Sequence, residues 1–305
     1  MRPCHILLTA LFIPLLLSPT TAAAHPHLLA TASGTEISYQ QLLTELSAVQ
    51  VVFIGELHDH AGHHRMQYEI IRSLEQQQQP LAIGLEMIQI DDQPTLDAWV
   101  AGNLEETDLV AMFNRNWSMW PLYRDIFVLA RERRIPLLAL NISRDIIRQV
   151  AKNGFASLPP TRLEGLEGVT CTVDPAYEQF IRRALGEHGH NPTSFRYFCE
   201  AQLLWDTAMA KHLNDFLTRQ PDYRVVVLAG SGHSWKYGIP HQLTKLAPRT
   251  FRVLLPEVPG RIDRTRASVA DTDFLWLDVG PQSWTLSPSQ RPQAGEQKSS
   301  AAAAE

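Results

Sequence analysis

Four short apolar runs, each closing on polar or charged residues and separated by stretches of helical character, constrain the fold of this chain most. The runs are Val51 to Ile54, Leu81 to Leu85, Pro136 to Leu140 and Val225 to Ala229. At or just beyond their ends stand Glu56, Glu86, Asn141 with Arg144, and His233. Each run is aliphatic or β-branched and bounded by Gly, Pro or charge, the pattern of a buried strand. Helical patterns between them predict parallel crossovers, and an open parallel sheet binds ligands beyond the carboxyl ends of its strands. The expected fold class is α/β, a mostly parallel central sheet flanked by helices, with a polar site where the four ends meet.

The 305 residues, 45% hydrophobic and 19% charged, suffice for one substantial core. A formal charge of −5 without a dense Lys/Arg stripe argues against nucleic acid as a partner. Residues 1–24 read differently. Arg2 is their only charge, Ile6 to Leu17 is mostly apolar, and Ala22-Ala23-Ala24 supplies an A-x-A site, so a signal peptide cleaved after Ala24 is expected. The apolar stretch is too short to cross ~30 Å of hydrocarbon. Cys4 precedes it and cannot serve as a lipid-attachment cysteine after cleavage, which predicts a periplasmic or membrane-peripheral protein. Two cysteines then remain, Cys171 and Cys199, which in an oxidising compartment either pair or persist as buried thiols.

Along the chain, helices are predicted over Ser38 to Val49, Ala61 to Leu74, Asp91 to Val100 and Leu122 to Arg134. Between Arg144 and Arg219 no strand signal occurs; three helical patterns, broken at Gly154 to Pro160 and Gly186 to Pro192, predict a small helical subdomain (about 145–219) inserted between the third and fourth strands. Two last strands are expected at Thr250 to Leu255 and Asp273 to Val279, the second suited to an edge. The α/β domain thus covers residues 25–284, and the Pro-, Gln-, Ser- and Ala-rich stretch 285–305 reads as a disordered tail.

The densest polar cluster, Gly55 to His64, holds His58, His60, His63 and His64. His60 and His64 share a helix face, but the H-E-x-x-H order of a zincin is absent, and neutral imidazoles on a surface turn are more often simply solvated. His58 lies nearer the strand end than His63. Glu56 and Glu86 suit an acid–base pair or the binding of a guanidinium such as Arg144 or Arg115. Asn141 also suits a cap for the helix beginning near Ser143. Gln202 and Asp206 are four apart and face the same way, and Asp206 needs a partner if it faces the core. Ala229 and His233 stand where a nucleophile elbow needs Gly, and neither a G-x-G-x-x-G nor a phosphate loop occurs. Tyr177 and His188, eleven apart, share a face if their helix persists through Gly186.

Ile54-Gly55-Glu56-Leu57-His58-Asp59 with His64 and Gln67, Gly84-Leu85-Glu86-Met87, Ala139-Leu140-Asn141, Ala201-Gln202 with Trp205-Asp206 and Met209-Ala210, and Gly230-Ser231-Gly232-His233 occur in the order found in a known family. Over about residues 40 to 260 the chain resembles the ChaN-like haem-binding uptake proteins of the Tiki superfamily. The resemblance implies an α/β domain with a small helical subdomain, and haem binding linked to iron uptake through a tyrosine on iron, a nearby histidine and a haem-bridged homodimer, with an outer-membrane haem receptor as a further partner. An anionic phenolate suits exchangeable ferric haem. Tyr177 with His188 or His190 is the expected set, presented outward by the insert, with Tyr197 and Tyr237 as alternatives. Tiki-like metalloproteases and erythromycin-esterase-like hydrolases give a rival expectation, in which Glu56, His58, Glu86 and His233 bind a divalent metal ion or activate water.

Overall fold

A computed structural model describes residues 27–163, 166, 169, 172–185, 192–259 and 261–277. The expected signal peptide and tail, Cys171, His188 and His190 lie outside the described residues. In chain order the elements are β1 (His27–Ala30), β2 (Thr35–Ile37), α1 (Tyr39–Ser47), β3 (Val51–Glu56), α2 (Ala61–Glu75), β4 (Leu81–Gln89), α3 (Gln93–Ala101), α4 (Glu106–Asn116), α5 (Trp120–Arg133) and β5 (Leu137–Asn141). Then follow α6 (Arg144–Asn153), α7 (Pro175–Leu185), α8 (Pro192–Arg219), β6 (Arg224–Gly230), α9 (Ser231–Ser234), α10 (Ile239–Leu246), β7 (Phe251–Pro256) and β8 (Phe274–Leu277).

All eight strands form one sheet in the order β2-β1-β8-β7-β3-β6-β4-β5. The six from β5 to β8 across the sheet are parallel, and β1 is antiparallel to both of its neighbours. The four apolar runs are β3, β4, β5 and β6. One expectation needs correction. Strand β8 is interior, between β7 and β1, and is not an edge. The hairpin β1–β2, which turns at Gly34 with φ +66°, was not foreseen, because two strands of three or four residues that are mostly accessible carry little periodic signal.

Alternation along β3 divides the core. Val52 and Ile54 face the layer of α1 to α5, whereas Val51 and Phe53 face α7, α8 and α10. A smaller cluster joins Ile147 and Val150 of α6 to Ala201, Leu204 and Ala208 of α8. Local chemistry supports these placements. Ser38 and Gln41 form a reciprocal capping box at α1, and Pro121 occupies the first turn of α5. Among the described residues no helix is long and apolar enough to cross a membrane.

Candidate functional site

Parallel pairing brings the carboxyl ends of β3, β6, β4 and β5 side by side, with Glu56 opposite Gly230. Glu56 is 1% exposed, and its carboxylate is closely held. His58 Nδ1 donates to Oε1 at 2.8 Å, Gln67 Nε2 donates to Oε2 at 2.7 Å, and the Tyr123 hydroxyl also donates to Oε1. His64 Nδ1 lies 3.5 Å from Oε2, while its Nε2 donates to the His58 carbonyl at 2.9 Å. Burial opposes charge on Glu56, but His64, then His58 and Tyr123, outweigh it and hold the carboxyl at about 2. The Tyr123 phenol is pushed up by burial and by the Glu56 charge.

A second buried set lies across Gly230. Glu86 accepts from the Gly230 amide at 2.5 Å and stands 3.7 Å from His233 Nε2. His233 Nδ1 donates to Asp206 Oδ1 at 2.6 Å, and the Tyr177 hydroxyl donates to Oδ2 at 2.6 Å. Burial favours a neutral His233 ring, yet Glu86 and Asp206 prevail and lift it to about 9. Burial lifts Asp206 as well, so a proton is retained by the pair, and it belongs on His233, which two carboxylates flank. For His58, burial is outweighed by the bond to Glu56 and by the charges of Glu86 and Glu56, and its pKa is raised.

Between these sets, Asn141 Nδ2 donates to the Glu86 carbonyl at 2.6 Å, and its Oδ1 accepts from the Ile142 amide and the Trp205 indole. It is a tie between strand ends and not a helix cap; Ser143 caps α6. Trp205 in turn packs edge-on against His233, with ring centroids 5.0 Å apart. Arg144 stacks on Trp117 at 4.9 Å, and the same indole meets His58 edge-on at 4.8 Å. The structure thus brings together Glu56, His58, Glu86, Asn141, Arg144, Asp206 and His233, and Gln202 borders the same cavity. Arg115 is elsewhere, paired with Asp92. Of the other histidines, His63 is turned inward to accept from the Leu57 amide, and burial, His60 and His64 hold it down at about 3. Among the described residues no three His, Cys, Asp or Glu side chains form a group that could hold a metal ion.

Above this polar floor opens a cavity of about 810 Å³. Glu56, His58, Gln202 and His233 contribute to its lining, as do Phe180 and Ile181 of α7, Phe198 of α8, Trp235, and Val258, Arg261 and Ile262 from the β7–β8 connection. Sequence reasoning missed Tyr123 as a Glu56 partner and missed the wall of Val258, Arg261 and Ile262. Nothing local distinguishes Tyr123 from a packing aromatic on α5, and the wall residues meet the site only through the fold.

Tyr177 does not face outward as expected. It is 1% exposed, packed among Phe180 and its neighbours, and its hydroxyl is on Asp206. The reason is Asp206, a buried carboxylate that takes the phenol as a donor. Tyr197 is half-buried against Gly154, away from the cavity. Tyr237 is half-buried and stacked on Phe180 at 5.9 Å. Cys199 is a buried thiol whose pKa burial pushes up to about 11, and its expected partner Cys171 lies outside the described residues.

With this geometry in hand, comparisons place the chain. The profile of the haem-binding uptake family ChaN, Tiki superfamily, matches residues 42–243, which hold both buried sets. The chain belongs to this family. Among solved structures, ChaN of Campylobacter jejuni, described with cofacial haem binding, shares the fold with a TM-score of 0.64 at 22% identity, covering 83% of this chain and 96% of that one. The erythromycin esterase EreC in its open conformation aligns with a TM-score of 0.44 at 16% identity over 75% of this chain and 76% of that one. A Bacillus cereus protein aligns with a TM-score of 0.45 at 15% identity over 77% and 72%. No curated protein matches the chain.

Proposed function

We propose that this chain is an exported haem-binding protein of iron uptake, and that it takes haem as cargo in the cavity beside the strand ends. The observation that carries the reading is the cavity's division into an aromatic and aliphatic wall and a polar floor, in a chain of the ChaN family. Phe198, which is half-buried, offers apolar surface of the kind a porphyrin needs, the largely buried Phe180 and Trp235 make the lining around it aromatic, and Arg261 is a cation at the same cavity. These residues fit the cargo.

For the iron, an oxygen ligand suits the ferric state. Tyr237 now takes precedence over Tyr177, because its ring is partly accessible and stacks on the cavity's Phe180, whereas the Tyr177 hydroxyl is committed to Asp206. His188 and His190 remain the proposed hydrogen-bonding neighbours. A haem-bridged homodimer and delivery from an outer-membrane receptor belong to the same proposal, as does cleavage after Ala24. Titration of the purified protein with hemin tests it: a Soret shift saturating at simple stoichiometry is expected, weakened in Tyr237→Phe and little changed in Tyr177→Phe. The reverse order would return the ligand to Tyr177, and no saturable shift would end the haem reading.

One observation favours a second reading, hydrolysis at the floor. His58 and His233 are each held by a carboxylate and border the same cavity, so either can exchange a proton with bound water. Turnover of an ester panel, lost in Glu56→Gln and His58→Gln, would support it; haem binding without turnover would not.

A further inference from the structure

The cavity is electrically lopsided. Its floor holds Glu56, with Glu86 and Asp206 just behind His58 and His233. The rest of the lining is largely apolar, and among the described residues Arg261 is the one lysine or arginine that lines the cavity. Arg261 is exposed, and among the described residues no carboxylate pairs with its guanidinium. Its backbone is nevertheless firmly placed. Val258 and Ile262 form a bridge that closes a tight turn, the Val258 amide donating to the Ile262 carbonyl at 2.6 Å and the Arg261 amide to the Val258 carbonyl at 3.0 Å. Just outside the turn, Glu257 accepts from the Arg264 guanidinium through both oxygens, at 3.0 and 2.7 Å, and its amide is fixed to Trp276. These bonds place the Arg261 guanidinium beside two aliphatic side chains, Val258 and Ile262, that line the same cavity.

We infer that Arg261 is the carboxylate-recognition residue of this cavity, so that its ligand is an amphipathic carboxylic acid lying against Phe180, Ile181, Val258 and Ile262 with its acid group at the Arg261 turn. A guanidinium matches a carboxylate through two parallel N–H bonds, which fixes orientation as well as charge. The inference deepens the haem reading, since haem carries two propionates, but it concerns the acid groups and not the iron.

The test separates the two. Quenching of tryptophan fluorescence is followed for hemin, iron-free protoporphyrin IX and the dimethyl ester of each, with wild type, Arg261→Lys and Arg261→Met. Arg261 is exposed and its turn is closed by backbone bonds, so both variants are expected to fold; thermal melts matching wild type verify this. For wild type, each free acid binds more tightly than its ester. A rim cation of this kind contributes up to about fivefold in affinity, and its loss slows association and flattens the salt dependence. Arg261→Met should therefore lose about fivefold for the acids and nothing for the esters, with Arg261→Lys between.

Equal binding of acid and ester by wild type, or an equal loss for both in Arg261→Met, overturns the role of Arg261 while leaving haem as the cargo. Conversely, acid-selective binding through Arg261 in which hemin is no tighter than protoporphyrin keeps the carboxylate site and removes iron ligation. Failure of all four probes to bind overturns both.

Discussion

The floor and the wall of the cavity are built in opposite ways. The buried carboxylates of the floor are each fixed by partners brought in by the fold: Glu56 by His58, Gln67 and Tyr123, Glu86 by Gly230, Asp206 by His233 and Tyr177. The wall is made of Phe180, Ile181, Phe198, Val258 and Ile262, whose side chains are apolar and make no directional bonds. Directional bonds in a buried site resist change, because a lost partner leaves a desolvated charge, whereas apolar surface adapts to the shape placed against it. The floor therefore sets stability and proton placement, and the wall sets what is bound.

The largest effect is expected for Glu56→Ala. It strands His58, Gln67 and Tyr123 without their shared acceptor, and removing one side of a buried charged network costs about 3–5 kcal/mol. Urea unfolding should show the full loss. If Glu56→Ala unfolds like wild type, the floor is not a structural unit. Glu56→Gln, which keeps an oxygen for the donors, should lose less.

Phe180→Ala comes next, with about 3 kcal/mol lost, since Phe180 is 1% exposed and contacts Tyr177, Trp235 and Tyr237. It differs from Glu56→Ala in its second readout: hemin affinity should also fall in the molecules that remain folded. Undiminished affinity in Phe180→Ala would mean that the wall is not the binding surface.

How much of this division was legible in the sequence follows from the same physics. The floor residues stand at ends of apolar runs, and parallel topology turns position along the chain into position along one edge, so Glu56, Glu86, Asn141 and His233 could be gathered without coordinates. The wall could not. Arg261 lies in a connection between two strands with no periodic pattern, and Phe180 reads as one of two aromatics on an amphipathic helix. Tyr177 shows the limit from the other side: the family resemblance suggested an outward-facing ligand, but only the fold reveals that Asp206 draws it inward. The hairpin β1–β2 was invisible for want of length.

Titration offers a medium-sized test of the floor, in which two histidines pull in opposite directions. The His233 pKa is raised to about 9, so its stabilisation is complete below the ordinary value near 6.5 and disappears as pH rises through 9. That of His63 is lowered to about 3, so its contribution is complete above 6.5 and is lost as pH falls. Glu56, held at about 2, adds a loss below its unfolded value near 4.5. Stability should peak near pH 6.5. Each unit beyond costs on the order of 1.4 kcal/mol at most. His233→Gln should flatten the alkaline limb and leave the acid one; His63→Gln should do the reverse between pH 6.5 and 4.5. A single symmetric change in both limbs would mean that neither ring is the titrating group.

The smallest effect, and the finest probe of where floor meets cavity, is expected at Gly230. This residue closes β6 opposite Glu56, and its amide donates to Glu86. A Cβ placed there would stand 3.0 Å from both Cε1 and Nε2 of His58 and 3.6 Å from Glu86 Oε2. The imidazole edge lies on the strand because no side chain is present, which lets His58 reach Glu56 with Nδ1 while keeping 34% of its side chain accessible. Gly230→Ala must therefore push the ring a few tenths of an ångström toward the cavity, at about 1 kcal/mol, the low end of overpacking costs. The strand itself accepts alanine, so the sheet should persist. The change should appear in the His58 titration followed by NMR, with a pKa moving back toward 6.5 as its bond to Glu56 lengthens, while His233 keeps its own. If both histidines shift together, the two buried sets are one coupled network. If neither moves, His58 has room to turn and the glycine is not what holds it against Glu56.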